Sequence, residues 1–141
     1  MKAIRLRYVL GALLLSAAAG TVQAHHSFRS QYDANQPVTL TGVVTKIDWM
    51  NPHVYFYVDV ENAETGEVEN WGFEMGPPHM LERRGWKRNT MKIGDVVEVH
   101  GTRARDGSLT ANARRVTMTA TGEVLGAASS EEQTIGRGNN N

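Results

Sequence analysis

The sequence predicts a mainly β fold: a five-stranded OB-like Greek-key barrel with one short helix between strands three and four. Three observations carry that expectation. Five segments alternate apolar and polar residues with period two and are rich in β-branched and aromatic side chains, as half-buried strands require. The one break in this pattern, "GPPHMLERRGW" at 76–86, follows the third strand and has the prolines and closing glycine of a short helix. A long first strand carrying Gly42 suits the bend that a small closed barrel demands. The order β-β-β-α-β-β matches the five-stranded Greek-key barrel. An open α+β sheet with the same elements is the competing architecture.

Residues 1–24 read as a secretory signal peptide. Lys2, Arg5 and Arg7 form a positive start, "YVLGALLLSAAAG" is uncharged and apolar, and Val22 and Ala24 occupy the −3 and −1 positions of a cleavage site. The apolar run has 13 residues, short of the ~20 of a spanning helix. Cleavage after Ala24 leaves 117 of the 141 residues, beginning at His25. The expected location is the periplasm, with no stable membrane insertion once the signal is removed. That compartment permits disulfides, yet the chain has no cysteine, so its fold stands on its core alone. A chain of this length suffices for one domain. Without the three signal cations, 12 Lys+Arg face 15 Asp+Glu, a net charge of about −3. That balance argues against general nucleic-acid binding.

Residues 25–37, "HHSFRSQYDANQP", read as a polar N-terminal arm, and 38–125 as the barrel domain. Strand one, 38–50, changes phase: Val38 and Leu40 share one face, Val43, Ile47 and Trp49 fit the opposite parity, and Gly42 sits at the slip, suggesting a bulge or bend there. After the "NP" turn, 53–61 alternates with Val54, Phe56, Val58 and Val60 inward. "NAETG" is a hairpin loop, and 68–75 returns with Trp71, Phe73 and Met75 inward. The helix follows, stopped at Gly85. Strand four lies within 91–102. Asp106-Gly107 marks a hairpin turn, 109–119 is strand five, and "GEVL" at 122–125 adds a short edge piece. The small, polar residues 126–141 read as a disordered tail.

"HHSF" at the mature start, "VTLTGVVTKIDWMNPH" at 38–53, "NWGFEMGPPHMLERRGW" at 70–86, and "GDVVEVHGTRARDGS" with "ANARRVT" at 94–117 carry a resemblance. Over roughly residues 25–119 the chain resembles an uncharacterised family of small exported bacterial proteins, a domain of unknown function. The resemblance implies export and a single small β-domain. It implies no catalytic residues.

Five histidines are candidates for chemistry: His25, His26, His53, His79 and His100. Cleavage before His25 would leave its α-amine and imidazole able to chelate one metal. A third nitrogen, from His53 first and His79 second, would complete a set suited to Cu(II), which tops the divalent affinity order and accepts tetragonal nitrogen ligands. His26 could contribute through its own amide. An exposed His-His end also takes up copper or nickel with no biological role, and zinc held by cysteine is excluded by composition. The carboxylates, Glu74 and Glu82 included, show no spacing that demands acid–base work and read as a solvated face.

Nine of the 12 mature cations lie between residues 83 and 115. Arg83, Arg84, Arg88, Arg103 and Arg115 therefore suggest a basic face that could dock an anionic periplasmic partner. The aromatic face of strands two and three lacks such cations, which disfavours single-strand nucleic acid. Trp71 reads as core, while Trp49, Tyr55 and Tyr57 could line a platform. No nucleophile elbow, phosphate-cradling loop or dinucleotide fingerprint occurs. The expectation is a periplasmic binding module without catalysis, with copper or another transition metal as the sharpest ligand hypothesis. The docking domain is the alternative and a copper-dependent oxidative enzyme the outlier.

Overall fold

The computed structural model describes residues 30–127. The signal segment, the cleavage junction, His25 and His26 lie outside them, as do residues 128–141. In chain order the elements are β1 (Tyr32–Asp48), β2 (Tyr55–Glu61), β3 (Val68–Glu74), α1 (Pro78–Arg83), β4 (Val96–Ala104), β5 (Thr110–Met118) and β6 (Glu123–Gly126). The strands lie antiparallel in the order β3-β2-β1-β4-β5-β6. A parallel pairing of Gly72–Glu74 with Thr110–Asn112 then closes the sheet into a ring. Around that ring the strands run 1-2-3-5-4, the connectivity of an OB-like Greek key, with β6 added along β5.

The meander of β1 to β3 supplies most of the core, because strict alternation puts every second residue inside. Val54, Phe56, Val58 and Val60 are buried, as are Trp71, Phe73 and Met75 opposite them. Phe56 stacks on Phe73 with ring centroids 5.2 Å apart, and Phe73 on Trp71 at 6.4 Å. Val97, Val99 and Val116 close the core from β4 and β5.

β1 departs from expectation in two ways. Its phase slip falls at Thr45, where the register with β2 jumps between Val44 and Lys46. Val44 is therefore the core residue, 1% exposed, and Val43 faces out at 42%. Gly42 serves a close approach instead: a Cβ there would lie 2.1 Å from the Asp59 carbonyl oxygen. Second, β1 begins inside the expected arm. Tyr32 pairs with Ala104 and Pro37 with Thr102. Between them Asp33 turns the chain aside, accepting from the Asn35 amide at 3.2 Å and from Gln36 Nε2 at 3.1 Å.

The helix forms as predicted. Pro78 opens it, Leu81 is buried, and Gly85 ends it at φ +96°. The following Trp86 is buried and donates from Nε1 to the Gly126 carbonyl at 2.9 Å, tying α1 to β6. Gly126 and Ala127, expected in the tail, belong to the folded unit: Ala127 is fully buried and its amide donates to the Arg114 carbonyl at 2.9 Å. Among the described residues no helix is long and apolar enough to cross a membrane.

Candidate functional site

At the ring's α1 end, the start of β2 meets the end of β3. The Asn51–Pro52 peptide is cis, and the chain then delivers His53 and Val54 alongside Met75 and Gly76. Two backbone hydrogen bonds fix that contact: the Val54 amide donates to Gly76 O at 3.3 Å and the Met75 amide to Val54 O at 2.8 Å. Tyr55 is the register partner of Glu74. Neighbours in register project from the same side of a sheet, so His53, Tyr55 and Glu74 form one outer-surface cluster.

Glu74 is its centre. The sequence reading placed this side chain on a solvated face; instead it is 7% exposed. Outward-facing does not mean solvated here, because the start of β1 covers this part of the sheet. Tyr32, itself buried, donates its hydroxyl to Glu74 Oε2 at 2.5 Å. His53 Nδ1 lies 2.5 Å from Glu74 Oε1, and the Tyr55 hydroxyl is also hydrogen-bonded to Glu74. Burial, then the neighbouring Glu74 charge, pushes the Tyr55 phenol up to about 12. Burial first and the Glu74 hydrogen bond second push the Tyr32 phenol up as well. Asn112 stands in register with both Glu74 and Thr102. It is 1% exposed, and its Nδ2 and Oδ1 have no hydrogen-bond partner among the described residues.

The cluster prepares one nitrogen. An imidazole whose Nδ1–H is given to a carboxylate keeps its lone pair on Nε2, the arrangement that orients metal-bound histidines. The His53 side chain is 37% exposed. Its Nε2 has no partner among the described residues.

The other predicted ligands differ. His79 is exposed in the first turn of α1, with no polar partner for its imidazole among the described residues. His100 has both nitrogens engaged, Nδ1 with Thr39 Oγ1 at 3.1 Å and Nε2 with Glu98 Oε1 at 2.8 Å. Among the described residues no three His, Asp or Glu side chains converge to hold a metal. A complete metal site on His53 would need donors from outside the described residues.

Of the five arginines, Arg83 closes α1 and Arg88 follows it, both exposed. Arg115 is the register partner of Gly126, and a Cβ on Gly126 would lie 3.9 Å from Arg84 Cδ. Arg84 and Arg115 thus flank β6. Arg103 does not join them. It pairs with the buried Ala111, faces the ring's interior and lies over the Trp71 ring, 5.4 Å from its centroid.

Sequence reasoning missed Glu74, Tyr32 and Tyr55 as a unit. A usable signal existed in Tyr32, a large aromatic in a polar stretch that gains little unless it is buried. No curated protein matches the chain. A family model matches residues 12–113, most of its length, and the chain belongs to that family, the Family of unknown function (DUF6152).

Proposed function

We propose that the mature protein is a periplasmic, non-catalytic binding module that holds copper or another transition metal. Its ligands would be the α-amine and imidazole of His25, freed by signal cleavage, together with His53 Nε2. His26 and His79 are accessory donors. One observation carries the reading: a single buried carboxylate, Glu74, grips both His53 and the arm residue Tyr32. His25 lies seven positions before Tyr32, and seven steps of ~3.3 Å reach about 23 Å. A mature N-terminus anchored at Tyr32 would therefore be within reach of His53. The donors are nitrogens throughout, which favours Cu(II) over harder ions.

The test is chelator competition for Cu(II) on protein purified from the exported fraction, its mass fixing the cleavage point. His53→Ala and one extra residue before His25 should each weaken binding by about tenfold or more, the cost of losing one good ligand contact. Unchanged affinity in the extended protein would remove the amine from the site.

A second reading has its own observation. Arg84 and Arg115 flank β6 with Arg83 nearby in sequence, giving a basic side that suits an anionic periplasmic partner. Binding there should weaken with salt and be lost in Arg83→Glu/Arg115→Glu. Salt-insensitive binding would contradict it.

A further inference from the structure

The end of the ring away from α1 opens into a cavity of about 630 Å³. It shares no residue with the Glu74 cluster. Leu40, Val60 and Leu109 give it apolar walls. Arg103 supplies its one basic group. The guanidinium is covered on one face by the Trp71 indole. Its Nη2 donates to the Gly107 carbonyl at 3.3 Å. Its Nε is buried with no acceptor among the described residues.

Glu69, which also lines the cavity, is engaged elsewhere. Glu69 accepts from Asn62 Nδ2 at 2.8 Å and from Trp71 Nε1 at 3.0 Å. The Asn62 bond first, then the indole bond, hold its carboxyl below the usual range. The Arg103 charge also attracts Glu69, but among the described residues the two form no ion pair. A half-buried guanidinium that lines a cavity and forms no ion pair among the described residues is a carboxylate receptor by geometry and charge. The cavity is also lined by Glu61 and Glu64, both exposed and without an ion pair among the described residues.

We infer that this cavity binds a small zwitterion, a free amino acid or short peptide. Its carboxylate would meet Arg103, its ammonium Glu61 or Glu64, and its apolar part Leu40 and Leu109. A simple anion fits poorly, because Glu61, Glu64 and Glu69 repel it. A simple cation leaves Arg103 unfilled.

The experiment is a titration of the mature protein with leucine and with alanyl-leucine, followed by the Trp71 indole N–H resonance. A saturable shift is expected, and the tighter of the two names the ligand's length. N-acetyl-leucine and leucinamide, each missing one charge, should bind about tenfold more weakly, as should leucine to Glu61→Gln/Glu64→Gln, whose sites are exposed. Arg103→Gln should abolish the shift. The double glutamine variant keeps the test valid if the loss of the Trp71 contact loosens the fold. No saturable shift up to about 10 mM, or equal binding of the blocked ligands, overturns the inference.

Discussion

Glu74 organises the site one hydrogen bond at a time, so its partners are where single substitutions report. A hydrogen bond to a charged group contributes about 1.5–3 kcal/mol. Tyr32→Phe should therefore lower unfolding free energy by about that amount in urea titrations, with the midpoint shifted and the slope unchanged. Asn112 points the other way. Its orphaned amide is a net cost, so Asn112→Leu, close in shape, should stabilise by about 1 kcal/mol; a loss of stability would show that the amide has a partner in solution. Alkali tests both tyrosines. Their phenols ionise at higher pH in the fold than the ordinary value of 10.0, where the unfolded chain ionises. Their contribution is complete below pH 10 and is lost as pH rises toward about 12 through Tyr55. Stability measured from pH 9 to 12 should fall in that window, and less steeply in Tyr55→Phe. None of this was legible in the sequence. Alternation along β3 correctly put Glu74 on the outer face, but what covers that face depends on Tyr32 pairing with Ala104, a contact across 72 residues.

Strands two and three were legible because both alternate without interruption and lie opposite each other in unbroken register. The helix was legible from Pro78 and Gly85, whose backbone preferences act locally. β1 was only partly legible. Its parity change was visible, but a bulge shifts parity at whichever residue is left unpaired. Thr45 carries no local mark of that role, whereas Gly42 attracted it. The two glycine roles can be separated by mutation. At Gly42 a methyl would strike the Asp59 backbone at 2.1 Å, so Gly42→Ala should cost about 3 kcal/mol or more. At Gly66, φ +73° with open space around the Cβ position, Gly66→Ala should cost only the backbone penalty, about 1 kcal/mol. Equal losses in thermal unfolding would contradict this account of β1.

Across the described residues as a whole, charge divides between the ends of the ring. The acidic hairpin 61–69 and Arg103 border the cavity, while His53, α1 and the arginines beside β6 occupy the other end. Alternation and turn residues foretold the β-rich ring. They could not foretell which side chains converge, because His53, Glu74 and Tyr32 come from three separate segments. The most direct test is pulsed electron paramagnetic resonance on the mature protein loaded with one equivalent of Cu(II). The N-terminal imidazole and a second imidazole should both couple to the copper, and His53→Ala should lose the second coupling while keeping the first. An identical spectrum in the two proteins would contradict a metal centre built on His53.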